Sequence, residues 1–264
     1  MQYGGFGEER FGGVRARVIA ALIARETVAR FGRSWGGYFW AIGEPLGGIV
    51  LLSLAFSLIV HAPPLGTSFA MFYATGLIPF LMFNAVAAGA VNSVAANRGL
   101  FAYPVVTALD TVLARAVLET LTYLVIAALF LPALVRIEGM HPVVDPVPLA
   151  LALALASALG LGVGTANAVL IAFWPTWRPV WTVLNRPLFL VSGVLFPFAA
   201  VPAELRPYVW VNPVSHVIAL MRAAFYGPDE ATGASAGYVL LVAGALFAAA
   251  GLLMTRHKAR MAQA

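Results

Sequence analysis

Apolar residues in this 264-residue chain run in long, nearly unbroken blocks and do not alternate with polar ones. Such blocks predict helices that are apolar on all sides, the pattern of membrane spans, whereas the strands of an outer-membrane barrel would alternate. The blocks place spans at roughly 46–62, 69–93, 111–136, 148–173, 180–200 and 236–255. The third can start earlier, because Asp110, Arg115 and Glu119 lie near its beginning. Residues 1–12 are Gly-rich and predict a loose segment. Residues 13–33 predict an amphipathic helix lying in the membrane interface. In that helix Arg15, Glu26, Arg30 and Arg33 fall within a sector of about 60°, and Val14, Val18 and Leu22 share another. Arg25 interrupts the apolar sector, and Glu26 and Arg30 have the favourable i,i+4 order. The mixed stretch 201–235 is interrupted by Pro213, His216 and Arg222, which suits short re-entrant helices shielded by protein better than a full span.

Composition turns this pattern into a class. Hydrophobic residues make up 61% of the chain and charged ones 10%, against roughly 25% charged in a soluble domain. The expected fold is an all-α polytopic membrane protein: six transmembrane helices, an N-terminal amphipathic interface helix, and short re-entrant helices between spans five and six. One membrane domain over 35–256 is expected, with a cytosolic segment at 1–34 and a cytosolic tail at 257–264. Cysteine is absent, which excludes disulfides, thiolate metal sites and a cysteine nucleophile. The first apolar stretch, VIAALIA at 18–24, is short and ends at Arg25 and Glu26, so no cleavable signal peptide is expected.

The net charge of +5 matters for topology, not for nucleic acid, which is not an expected partner. With the N-terminus inside and six spans, the inner segments hold 13 cations: Arg10, Arg15, Arg17, Arg25, Arg30, Arg33, Arg98, Arg115, Arg178, Arg186, Arg256, Lys258 and Arg260. The outer segments hold 3, namely Arg136, Arg206 and Arg222. That asymmetry predicts a multi-pass protein with both termini cytoplasmic.

Candidate chemistry is sparse. Lys258 is the only lysine and no Walker A pattern exists, so ATP hydrolysis by this chain alone is not expected. His61, His141, His216 and His257 are scattered, and no metal site or catalytic residue is expected. Arg115 and Glu119, one turn apart, read as a structural ion pair or, in the competing reading, as part of a proton relay. Trp35, Tyr38, Phe39 and Trp40 precede the first span, while Trp174, Trp177 and Trp181 flank the fifth. These aromatics read as an interfacial belt or as a stacking surface for sugar rings. Trp210, Asn212, Pro213, His216 and Arg222 read as an outer gate or as a turn cap with buried hydrogen bonds.

Three stretches, in order, carry a resemblance. RETVARFGRSWGGYFWAIGEP at 25–45 resembles the N-terminal motif of the capsular-polysaccharide and O-antigen type-2 ABC exporter permeases, through Arg25, Glu26, Arg30, Phe31, Ser34, Gly37, Trp40 and Pro45. NRGLFAYPVVTALDTVLARAVLET at 97–120 resembles the cytosolic loop and third span of the capsule branch. VNPVSHVIALMRAAFYG at 211–227 resembles its outer re-entrant segment. Gly36 departs from the usual Leu, and 102–107 lacks the basic residues that capsule relatives often carry.

The resemblance implies a bacterial inner-membrane permease that moves a polysaccharide or glycolipid through a channel at a homodimer interface. It implies two copies of a separate ATPase that bind ATP and Mg, with no cofactor in this chain. It also implies a periplasmic adaptor, an outer-membrane exporter, and contact with membrane lipids. A coupling helix within about 94–110 would dock in the ATPase, with Asn97, Arg98, Leu100, Phe101, Tyr103 and Asp110 as the coupling residues. The readings that compete with capsule export are a same-fold exporter of O-antigen, teichoic acid, lipid or drug, and an intramembrane enzyme using Glu119 or His216.

Overall fold

The computed structural model describes the backbone of residues 8–31, 35–102, 105–140 and 143–263, and within these the side chains of all but 8–14, 16, 29–31, 35–42, 44 and 263. All regular structure among the described residues is helical. In chain order the helices are α1 (Glu8–Phe31), α2 (Trp35–Ser57), α3 (Phe69–Ala96), α4 (Ala108–Ile137), α5 (Pro146–Phe173), α6 (Trp177–Val191), α7 (Arg206–Val211), α8 (Pro213–Tyr226), α9 (Ala236–Arg256) and α10 (Lys258–Gln263). Short 3-10 turns occupy Arg98–Ala102, Phe198–Ala200 and Pro228–Ala231.

Among the described residues, four helices are long and apolar enough to cross a membrane: α3, α4, α5 and α9. α3 is the hub, with every residue from Met71 to Phe80 buried. It starts at Ser68, whose side chain accepts from the Met71 N–H at 3.1 Å. α5 packs so closely on it that a Cβ at Gly160 would lie 2.7 Å from the Phe83 carbonyl oxygen. At Gly164 it would lie 2.7 Å from the Ala87 backbone. These glycines, four apart, let two backbones approach as small residues do between membrane helices. α9 packs on the other side of α5, near Gly162, where a Cβ would lie 2.5 Å from the Ala243 carbonyl oxygen. The buried core thus runs through α3, α4, α5, α8 and α9, and a second cluster joins α10 to the opposite end through Val94, Val112, Val169, Met254 and Met261.

Several expectations need correction. α1 begins at Glu8, inside the stretch read as loose, and acidic residues at 8 and 9 suit a helix N-terminus. Glu26 does not share an exposed polar face with Arg15: Arg15 is exposed, whereas Glu26 and Leu22 are buried. The helix period sees only its own helix, while a guanidinium on α4 draws Glu26 inward. α2 begins at Trp35 and passes through Pro45 before its apolar part, Pro45–Ser57, so the aromatics from Trp35 to Trp40 lie within the helix and not ahead of it. The block at 180–200 does not form one helix. α6 has 15 residues, about 22 Å at 1.5 Å per residue, short of a hydrocarbon core of about 30 Å. It stops at Ser192, and Gly193 then turns at φ +83° against the Phe198 ring.

Candidate functional site

The ends of the bundle differ in chemistry. At one end, where α3 stops and α4 starts, Asn97 closes α3 and is buried. Its side-chain NH2 donates to the Ser93 carbonyl at 2.8 Å and to Glu26 Oε1 at 3.0 Å. Its Oδ1 accepts from Arg25 Nη1 at 2.5 Å. Glu26 Oε2 in turn accepts from Arg115 Nη1 at 2.6 Å, and Arg115 Nε donates to Glu119 Oε1 at 2.9 Å. Arg25, Glu26, Asn97, Arg115 and Glu119 therefore form one chain of contacts through α1, α3 and α4. The absent Cβ of Gly89 makes room for it, since a methyl there would lie 3.0 Å from Glu119 Cγ and 3.1 Å from Arg115 Cγ.

The other residues around Asn97 separate. Arg98 is exposed, and Leu100 and Phe101 are half-buried. Phe101 packs toward the cluster of Met254 and Met261, beside a cleft of about 340 Å³ that Lys258 of α10 also lines. Asp110 is buried in the start of α4: its Oδ2 accepts from Thr107 N at 3.0 Å and Thr107 Oγ1 at 2.6 Å, while its own N–H donates back to Thr107 Oγ1. This capping box satisfies helix N-terminal donors. Tyr103, and the side chains of Arg30, Arg33, Trp35, Tyr38, Phe39 and Trp40, lie outside the described residues.

Trp174 and Trp177 stack with centroids 6.1 Å apart at the start of α6. Trp174 is exposed, Trp181 is half-buried, and Trp177 Nε1 donates to Asn167 Oδ1 of α5 at 2.8 Å. Further along, α6 meets α3 through two polar contacts: Arg178 Nη1 to Asn92 Oδ1 at 3.4 Å, and Asn185 Nδ2 to Asn84 Oδ1 at 2.8 Å. Beside them lies a cavity of about 330 Å³ lined by Asn84, Asn92, Arg115, Glu119 and Tyr123 among small residues. The reading of the sequence missed Asn84, Asn92, Asn167, Arg178 and Asn185. A detectable signal existed: amides inside apolar spans are costly unless partnered.

At the opposite end the broken segment is tightly built. Arg222 is fully buried, its carbon Cζ 4.2 Å from the Phe72 ring centroid. Its Nη1 donates to the Phe196 carbonyl at 2.7 Å and its Nη2 to that of Val194 at 3.2 Å. Arg206 treats the same irregular segment alike, donating to Val201 O at 2.9 Å and Ala199 O at 3.2 Å. Asn212 caps α8, accepting from Val214 N at 3.0 Å, and donates to Ser192 Oγ at 2.8 Å, while Pro213 fills the first helical position, where no N–H is needed. His216 Nδ1 accepts from Ser235 N–H at 2.9 Å, so Nε2 carries the proton and donates to Trp210 O at 2.8 Å. Trp210 itself stacks on Phe198 at 4.9 Å. Both His216 nitrogens are thus engaged by backbone, and Glu119 is held by Arg115. Glu230, on the turn after α8, has its carboxyl pushed up by burial, an effect that Arg222 opposes and Asp229 reinforces.

Comparison with known proteins gives this architecture relatives. A family described as ABC-2 type transporter matches residues 17–226. The polysialic acid transport protein KpsM of Escherichia coli is 32% identical over 249 residues, covering 94% of this chain and 96% of that protein. The capsule polysaccharide export inner-membrane protein CtrC of Neisseria meningitidis serogroup A is 27% identical over 228 residues, covering 86% of each. The corresponding protein BexB of Haemophilus influenzae is 26% identical over 245 residues, covering 92% of each. The family match runs through the charge network, the polar α3–α6 contact and the Arg222 end alike: the chain belongs to the ABC-2 type transporter family.

Proposed function

We propose that this chain is the permease subunit of an ATP-driven exporter that carries a lipid-linked capsular polysaccharide across the bacterial inner membrane. The observation that carries the reading is the similarity to capsule-export membrane proteins over nearly the full length of both partners. The polymer passes along the interface of two copies of the chain, and two copies of a separate ATPase bind ATP and Mg. A periplasmic adaptor and an outer-membrane exporter complete the path. Both termini are cytoplasmic, α2 and α6 add two shorter crossings to the four long ones, and α7 and α8 dip into the outer leaflet and return. The inward excess of arginine and the helix break at Asn212 and Pro213 support that topology. The domain runs over 35–256, with cytosolic segments at 1–34 and 257–264.

Coupling follows from the charge network. ATP binding closes the ATPases and biases two conformations of the permease. The Arg98–Ala102 turn receives that motion, and Asn97, directly before it, passes it to Glu26 of α1, which hands it on to Arg115 of α4. Phe101→Asp, and independently the surface change Arg98→Glu, should abolish co-purification of the ATPase while the permease still inserts. A normally assembled complex in both variants overturns the coupling role. The reading itself is tested by deleting the gene and measuring surface and intracellular glycan in parallel. Loss at the surface with accumulation inside is expected; unchanged surface glycan rejects capsule export in favour of another cargo.

A further inference from the structure

The polar contact between α3 and α6 is more than a pair of bonds. On α3, Asn84, Ala88 and Asn92 are spaced i, i+4, i+8 and form one stripe; on α6, Arg178, Thr182 and Asn185 are spaced i, i+4, i+7 and form another. The helices run antiparallel, so Asn92 meets Arg178 at one end and Asn84 meets Asn185 at the other, a ladder about 12 Å long. The ladder borders the cavity of about 330 Å³, a volume at the lower end of small-molecule sites.

Amides in a spanning helix are costly against lipid, and Asn92 and Ala88 are exposed on this stripe. A face of this kind opens on a water-filled path in the assembled protein and not on acyl chains. Asn185 Oδ1 is buried behind the ladder and has no hydrogen-bond partner among the described residues. Amides both donate and accept, which matches hydroxyl groups, themselves both donors and acceptors. Arg115, which lines the cavity, is held by two carboxylates, Glu26 and Glu119, while Arg178, exposed at one end of the ladder, donates to Asn92 Oδ1.

We propose that the α3–α6 ladder is the permease's sugar-reading site, where Asn84 and Asn92, which line the cavity, exchange hydrogen bonds with hydroxyls of the glycan as it passes. This rests on the exporter reading above and adds the residues and the chemistry they select. Ala88, midway along the ladder, makes none of these bonds, so Ala88→Phe fills the path without breaking any.

The test has two arms. In cells, the deletion strain is complemented with the wild-type gene, with A88F, with N84L/N92L, or with V125F, a control at an exposed apolar position of α4 outside the ladder. We expect A88F and N84L/N92L to lower surface glycan at least tenfold with intracellular accumulation, at normal membrane abundance and ATPase co-purification, and V125F to export normally. Deletion without effect on surface glycan removes the exporter reading. Deletion with loss, but normal export by A88F and N84L/N92L, overturns the ladder alone. In the second arm the complex co-purified with its ATPase, in lipid nanodiscs, is mixed with maltoheptaose or an oligosialic acid and followed by saturation-transfer NMR. Transfer to either oligosaccharide that A88F abolishes is expected; no transfer, or transfer that A88F leaves unchanged, overturns the ladder as the sugar-reading site.

Discussion

At the Asn97 end, charges from α1 and α4 meet each other directly beside a buried amide; at the Arg222 end, a buried guanidinium meets backbone carbonyls and a ring face. The first arrangement links separate helices by side chains, so it can shift as a unit when the neighbouring Arg98–Ala102 turn moves. The second ties an irregular backbone segment to the core, meeting carbonyls that no helix satisfies, and its role is to hold still. The same residue type thus joins helices to one another at one end and ties irregular backbone to the core at the other, decided by whether its partners are side chains or backbone.

The contrast is broken most severely by Arg222→Met. It leaves the Val194 and Phe196 carbonyls without their donor and the space beside Phe72 poorly filled. A loss on the order of 2–5 kcal/mol is expected, since buried carbonyls left without a donor cost about 1–3 kcal/mol each. It should appear as failure to accumulate in the membrane, with Arg222→Lys partly restored because one ammonium replaces a two-pronged donor. At the other end Glu26→Gln should cost about 1–2 kcal/mol, the loss of a charge-assisted bond, in the midpoint of thermal unfolding in detergent. Combining it with Arg115→Gln in a double-mutant cycle should give coupling between about 0.5 and 3 kcal/mol, and additivity would remove the network.

His216→Phe keeps the ring but strips both backbone contacts, leaving the Ser235 N–H and Trp210 carbonyl without partners. About 1–2 kcal/mol should be lost, without effect on ATPase association. The smallest effect concerns pH. Glu230 has a folded pKa raised above its ordinary 4.5, so its stabilising contribution is present below 4.5 and is lost as pH rises through the raised value. Glu230→Gln should flatten that slope, and an unchanged slope would assign it to other groups.

Much of the architecture was legible because burial in lipid needs only long apolar runs, and α3, α4, α5 and α9 all coincide with such runs. The 180–200 block misled for the same reason: apolar content alone does not register the turn at Gly193, which depends on the Phe198 ring folding back. Glu26 was assigned to an exposed face because its partner lies 89 residues away on α4. Arg222 was counted as an outer-loop cation because nothing local shows that the carbonyls it holds come from Val194 and Phe196. The close approach of α3 and α5 was overlooked although its signature, Gly160 and Gly164, stands in plain view.

By itself the sequence determined that this is a multi-pass helical membrane protein, because hydropathy sums over contiguous residues and needs no partner. Its motifs pointed to an exporter permease because their order is a property of the chain. Only the tertiary structure decided which charges pair, which amides face one another across α3 and α6, and which arginines anchor and which connect. Those outcomes depend on distances between residues far apart in sequence, and charge and hydrogen-bond energies fall off within a few ångströms, so they come into being only when the helices pack.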